Sequence, residues 1–193
     1  MSSKAKTSTY RPVKVDITPE MVERAEARDC GQMNKNSFMK GKGNIVGFLG
    51  EEIVQSLSPS FIWADTYDYD FIYKKKHTVD VKSKCQTVDY EPKFFYEASV
   101  GKDSLHQKTD FYIFCRVFRD KEGNYPYGWV LGFMPKKLYF VKCKKLLKGT
   151  VDPSNNFHVR QDCYNLPYFK LFPIKEFLKN PNWDRKGKKK ETF

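Results

Sequence analysis

Tyr67-Asp68-Tyr69-Asp70-Phe71-Ile72-Tyr73-Lys74-Lys75-Lys76-His77-Thr78-Val79-Asp80-Val81-Lys82-Ser83-Lys84 is the stretch that decides the fold. It reads as two short strands joined by a tight basic turn. With Lys74, Lys75 and Lys76 as the loop, Tyr73 pairs with His77, and the same register sets Asp70 opposite Asp80. Side chains alternate along a strand, so Asp80 and Lys82 share one face while Val79 and Val81 take the other. Directly opposed carboxylates have Cβ atoms roughly 4.5–5.5 Å apart and repel unless something neutralises them. Two acids and a lysine on one hairpin face suggest a divalent-cation site. The bland alternative is an exposed strand of alternating charge, and Asp68, on the same face as Asp70, is an alternative ligand.

Upstream of the hairpin lies the strongest helical pattern. Ile45, Leu49, Ile53 and Leu57 recur at four-residue steps, with Val46, Phe48 and Val54 widening the apolar stripe. Asn44 stands where a cap belongs, and Pro59 follows the end. Glu51 and Glu52 border the stripe, so either can aim a carboxylate at the hairpin. An earlier helix starts at Thr18-Pro19-Glu20 and is expected to stop near Gly31. Between the helices, the loop containing Lys40-Gly41-Lys42-Gly43 lacks the Walker pattern and is read as a linker.

Downstream, Phe61–Ala64, Lys93–Val100, Asp110–Phe118 and Tyr127–Phe133 read as strands. The third is nearly continuous in apolar residues, as a buried central strand should be. One helical turn is expected within Gly101–Lys108 and a short helical piece at Pro135–Phe140. A last strand is expected at Tyr168–Phe172 and a last helix at Pro173–Lys179. Cys143 to Leu166 is polar and carries no clear period. The aromatics of Phe94–Tyr96 and Asp110–Phe118 are read as core rather than base-stacking residues. The sum is an α+β fold of α/β/α-like layering: a mixed central sheet flanked by helices. Residues 1–15 read as a flexible basic arm, 16–180 as a single domain and 181–193 as a basic tail.

Composition narrows the function classes. The 193 residues carry 35 Lys and Arg against 23 Asp and Glu, a formal charge of +12, which favours a polyanionic partner. Five scattered cysteines form no CxxC pair and no zinc-finger spacing, as expected of thiols in a reducing compartment. His77, His106 and His158 lack metal-ligand spacing. No apolar run approaches the ~18 residues of a membrane span, so a soluble, cytoplasmic protein without membrane partners is expected.

Glu51 in a helix after Gly50, then Asp70, then Asp80-Val81-Lys82 resembles the PD-(D/E)xK nuclease superfamily, in its phage and bacterial members especially. The likeness covers residues 44 to 84 well and extends loosely to about 118. Tyr69 stands where the family has proline, and aspartate stands for glutamate in the third motif. Gln86-x-x-x-Tyr90 has the spacing of the RecB-like QxxxY motif but follows Lys82 too soon to match it. The resemblance implies a restriction-endonuclease-like core and a Mg²⁺-dependent endonuclease, with Mn²⁺ substituting, that hydrolyses DNA. Its catalytic residues would be Glu51, Asp70, Asp80 and Lys82. The metal would be held by Asp70, Asp80, the Val81 carbonyl and Glu51. Lys84 and Gln86, and the turn Lys74–Lys76, would contact DNA. A homodimer is left open, and a fold that binds DNA but has lost cleavage is the alternative. If the protein is virus-encoded, the host cytoplasm is its expected place.

Overall fold

A computed structural model describes residues 12–31, 44–64, 66–89, 96–153 and 156–179. Its centre is a six-stranded mixed sheet of order β1-β7-β6-β4-β3-β2. The strands are β1 (Val13–Asp16), β2 (Phe61–Trp63), β3 (Phe71–Tyr73), β4 (His77–Gln86), β6 (Phe111–Phe118) and β7 (Tyr127–Pro135). The expected hairpin register is present: Tyr73 pairs with His77, Ile72 with Thr78 and Phe71 with Val79. Lys74–Lys76 forms its turn, with Lys74 and Lys75 at positive φ (49° and 54°). Both left-handed positions are what a turn matching the strand twist requires, though neither residue is glycine.

β4 and β6 run parallel, with Asp80 beside Tyr112, Lys82 beside Phe114 and Lys84 beside Arg116. A parallel pair needs a long crossover. Here it includes β5 (Glu97–Gly101) and a 3-10 turn over Lys102–His106, which returns the chain to the start of β6 beside the hairpin.

The two faces of the sheet are covered differently. Helices α1 (Pro19–Gly31), α2 (Ile45–Ser56) and α4 (Ile174–Lys179) lie on one face. Met21, Ala25, Leu49, Ile53 and Phe177 there meet Phe71, Val79, Val81, Ile113, Val117 and Val130. The other face carries α3 (Lys136–Lys142) and a small sheet of order β5-β11-β8, with β8 at Lys144–Leu146 and β11 at Cys163–Pro167. Its core joins Ala98, Val100 and Leu166 to Tyr112, Phe114, Leu131, Met134 and Tyr139. The fold is thus α+β around a mixed sheet, but the expected helical cover holds for one face only. β9 (Val151–Asp152) and β10 (Phe157–His158) form a separate two-stranded ribbon.

A bulge sets the sidedness of β7. Phe114 pairs with Gly132 but Cys115 with Val130, so Leu131 is the extra residue. Leu131 and Phe133, two residues apart, therefore enter opposite cores. Gly132 absorbs the kink at φ 142°.

Further expectations need correction. Val13–Val15 is not part of a flexible arm. It belongs to β1, which pairs antiparallel with β7, burying parts of Val13 and Val15 against the helical face. Four residues of alternating burial are too short a signal to stand out beside a basic leader. The last strand is Cys163–Pro167, not Tyr168–Phe172; Tyr168–Lys170 is a 3-10 turn, and Phe172 only bridges Phe133. The polar span after Cys143 holds β8 to β11, whose strands are mostly of two or three residues. Asn44 occupies the helix cap without a side-chain cap bond. The rest of the arm, Lys40–Gly43, Lys93–Phe95 and the basic tail lie outside the described residues.

Candidate functional site

α2 reaches β4 through its glycine. A Cβ built on Gly50 would lie 1.7 Å from Ser83 Oγ and 2.8 Å from Ser83 Cβ, so only glycine allows the helix to come this close. The next residue, Glu51, is buried at 7 % exposure, and Glu52 at 3 %. Each carboxylate meets an arginine one turn apart on α1: Arg28 Nη2 is 2.7 Å from Glu51, and Arg24 Nη2 is 2.7 Å from Glu52. The Arg28 guanidinium also stacks 4.6 Å from the Phe48 ring and 4.3 Å from the Trp63 ring.

Asp70 stands immediately before β3, at the position that the register sets against Asp80. Its carboxylate accepts the Val81 backbone N–H at 2.6 Å, and its own N–H donates to the Val79 carbonyl at 3.0 Å. Burial, then the negative charges of Glu51 and Asp80, push the Asp70 carboxyl well above the usual carboxylate range. Glu51, not Glu52, is the helix acid whose charge Asp70 registers. Asp68, the alternative ligand, instead accepts the Lys108 backbone N–H at 3.0 Å.

Asp80 is buried, and desolvation raises its pKa as well, opposed by Lys82 and Gln107. Lys82 Nζ lies 2.7 Å from Asp80 Oδ2. Val81 enters the site through its backbone while its side chain faces the helical core. The expected acids and lysine therefore converge at one end of the hairpin, where α2 meets β4.

Two residues in this neighbourhood carried no legible sign in the sequence. Gln107 bridges the pair: Lys82 Nζ donates to its Oε1 at 3.2 Å, and its Nε2 donates to Asp80 Oδ1 at 3.2 Å and to the Tyr67 carbonyl at 3.1 Å. Lys136 Nζ donates to the carbonyls of Leu105 (2.8 Å) and Gln107, and its positive charge reaches Asp80 and Asp68. These contacts cross twenty-five residues of chain or more, and none belongs to a local motif.

The expected DNA contacts separate. Lys74–Lys76 is exposed at the far end of the hairpin, beyond the three residues of β3. Lys84 donates to Ser99 Oγ at 2.6 Å, and burial together with neighbouring Arg116 lowers its pKa to about 8. Gln86 does not extend the exposed face: it is 4 % exposed, and its amide donates to the Val88 carbonyl at 2.7 Å. The strand carries it under the chain that leaves β4.

Among the described residues, no group of three or more His, Cys, Asp or Glu side chains is arranged to hold a metal ion. The donor chemistry nevertheless suits magnesium, which takes oxygen ligands and commonly uses only one or two carboxylates beside waters and substrate phosphate. Asp80 is buried and Asp70 half-buried, and the ionised forms of both are disfavoured, so a cation would relieve both. Among the described residues, no helix is long and apolar enough to cross a membrane. No protein-family model matches the chain, and no curated protein matches its sequence.

Proposed function

We propose that this chain is a divalent-metal-dependent deoxyribonuclease of the PD-(D/E)xK type, built on a restriction-endonuclease-like core. The observation that carries this reading is geometric: the hairpin register sets Asp70 against Asp80, Asp70 accepts the Val81 N–H, and Lys82 Nζ lies 2.7 Å from Asp80 Oδ2. Asp80 and Lys82 on β4, Asp70 just before β3, and Glu51 on α2, whose charge reaches Asp70, support it by following the chain order of the motif. The antiparallel β2, β3 and β4 followed by a parallel β6 give the mixed sheet on which this reading is built. The small sheet on the second face is this chain's departure from the helical cover expected there.

Asp70 and Asp80 would hold Mg²⁺ or Mn²⁺, with the Val81 carbonyl and Glu51 completing the set or orienting its waters. When bound, the ion lowers the pKa of a coordinated water and neutralises charge growing on the phosphate. Lys82 is the protein's own cation at the reacting group. Its ammonium is held by Asp80 and Gln107, and on this reading it would orient the attacking water or stabilise charge on a non-bridging oxygen. Water adds to phosphorus in line, releasing a proton to solvent, as the phosphorus–oxygen bond to the leaving group breaks and the departing oxygen takes up a proton from solvent. Positive charge elsewhere on the chain attracts the polyanion.

A second reading, a DNA-binding protein that no longer cleaves, is favoured by one observation: Arg28 and Lys82 already neutralise Glu51 and Asp80. The test is a panel of labelled single-stranded, duplex, nicked and branched DNAs incubated with Mg²⁺ or Mn²⁺. Cleavage is expected, with loss of at least ~100-fold in rate for Lys82→Ala and Asp80→Ala. Equal cleavage by both variants, both folded by circular dichroism, would exclude this site as the source.

A further inference from the structure

Four neighbouring strands of the central sheet carry a row of register partners that the proposed active site does not use. Lys84 of β4 pairs with Arg116 of β6, Arg116 with Trp129 of β7, and Trp129 with Lys14 of β1. Paired residues share a face. Trp129 packs on the core formed by Tyr112 and Phe114, away from α1 and α2. At about 4.8 Å between strands, the row spans roughly 14 Å, and it begins about 6.6 Å beyond Lys82 along β4. The β7 bulge at Leu131 is what sets Trp129, rather than an aliphatic residue, beside Arg116.

No carboxylate stands in the row, and among the described residues none of its three cations makes an ion pair. Their hydrogen-bond and ring contacts are to neutral groups, while the charges of Glu97 and Asp152 reach Lys84 and that of Glu97 reaches Arg116. Lys84 donates to Ser99 Oγ, and Arg116 Nη2 donates to the Glu97 carbonyl at 3.2 Å, with its guanidinium 4.6 Å from the Tyr96 ring. Lys14 Nζ sits 3.6 Å from the Tyr127 ring centre and 5.9 Å from that of Trp129. Burial brings Arg116 down to about 10, with the charges of Tyr96, Cys85 and Glu97 offsetting only part of the effect. In the middle of the row, the Trp129 indole N–H is buried and meets no acceptor among the described residues, a donor whose desolvation they leave uncompensated.

Crowded cations interleaved with aromatic rings suit an anion that repeats its charge and carries flat faces. A lone phosphate would satisfy Lys84 and Arg116 but would not reach Lys14. Tyr127 is buried and Trp129 half-buried in the sheet face, so an unpaired base would reach the indole where a stacked duplex would not. We propose that Lys84, Arg116, Trp129 and Lys14 form a binding strip for a single-stranded polynucleotide, with phosphates on the three cations and a base against Trp129. The strip does not depend on cleavage at Asp70 and Asp80, since binding requires no metal.

The full chain, in EDTA, is titrated with fluorescently labelled oligo(dT) and followed by anisotropy and by intrinsic tryptophan emission. Emission should be quenched on binding in the wild type and in Trp63→Phe, and the quench should vanish in Trp129→Phe. Three phosphate contacts give a slope of log affinity against log salt of about −2, and Lys14→Ala should reduce its size by about 0.7. Lys14→Glu should weaken binding further. Lys14 is exposed, so these variants leave the core intact. Persistence of the quench in Trp129→Phe, or unchanged affinity and slope in both Lys14 variants, would overturn the strip. Tighter binding of a blunt duplex with the same Trp129 quench would overturn its single-strand assignment. Failure to cleave with Mg²⁺ would count against the nuclease proposal alone and leave these readouts unaffected.

Discussion

Gly50→Ala tests whether the approach of α2 to β4 builds the site. The new methyl would meet Ser83 Oγ at 1.7 Å and Ser83 Cβ at 2.8 Å, while the next neighbour, Cys115 Cβ, lies at 3.6 Å in ordinary contact. Rotation of the Ser83 hydroxyl relieves the first clash but not the second, which involves an atom fixed to the strand. Overpacking of this kind costs about 1–3 kcal/mol, and the severity of the contact argues for the upper part of that range. The helix regains about 1 kcal/mol when glycine becomes alanine. The net loss is therefore about 2 kcal/mol, equivalent to a fall in Tm of roughly 4–8 °C for a domain of this size.

The decisive measurement is a double-mutant cycle with Ser83→Gly, which removes both clashing atoms and leaves Cys115 as the nearest neighbour. Ser83→Gly alone should cost up to about 1 kcal/mol, as glycine does within a strand. The double variant should recover nearly all of the Gly50→Ala loss, giving a coupling of about 2 kcal/mol by urea denaturation. Helix displacement also carries Glu51 away from Asp70, so metal-dependent cleavage should fall in Gly50→Ala and return in the double variant. An unchanged or higher Tm for Gly50→Ala, or strictly additive energies, would refute the reasoning.

Two further perturbations address the charges. Asp70 has a folded pKa raised above its unfolded value, so the folded state binds the extra proton; stability is fullest below the unfolded pKa near 3.9 and falls as pH rises through the folded pKa. Asp70→Asn, which can still accept the Val81 N–H, should therefore raise Tm at pH 8 and have little effect at pH 3 while abolishing cleavage; thermal melts across that range showing no gain at pH 8 would contradict the cause assigned. Gln107→Ala should lower kcat on the order of 10-fold or more with little change in KM, as loss of a group orienting a proposed metal carboxylate does. In a Lys82→Ala background the same change should add little, and full additivity in steady-state kinetics would show that Gln107 does not act through Lys82.

How much of this was legible follows from the range of each interaction. The hairpin register was readable because a three-residue turn fixes it locally and alternation does the rest, so Tyr73–His77 implies the Asp70–Asp80 position. The α2 stripe was readable for the same reason: its period lies within fourteen residues. β1 was not, because Val13 and Val15 find their partners in β7, more than a hundred residues away, and four residues of alternation are easily lost in a basic leader. The span from Cys143 to Leu166 failed similarly, since strands of two or three residues are held by their neighbours rather than by their own pattern. Gln86 shows the opposite error: alternation gave its face, but burial depends on what covers that face, and Val88 turns back over it.

The choice between Glu51 and Glu52 shows why helix periodicity could not rank them. Adjacent residues on a helix differ by about 100° in direction, and both border the apolar stripe, so the stripe alone admits either. α1 does not separate them, because Arg24 and Arg28 stand one turn apart and each takes one glutamate. What separates them is the sheet. Gly50 touches Ser83, and from that contact Glu51 comes within electrostatic reach of Asp70, whereas Glu52 is held by an arginine that is itself largely exposed. Arg28 is instead pinned between Phe48 and Trp63, so the cation beside Glu51 has little freedom to leave. A metal ion recruited by Asp70 and Asp80 would therefore find Glu51 already shared with a fixed positive charge. On the proposed reading, the two strand aspartates would take the first share of the coordination and Glu51 the lesser one.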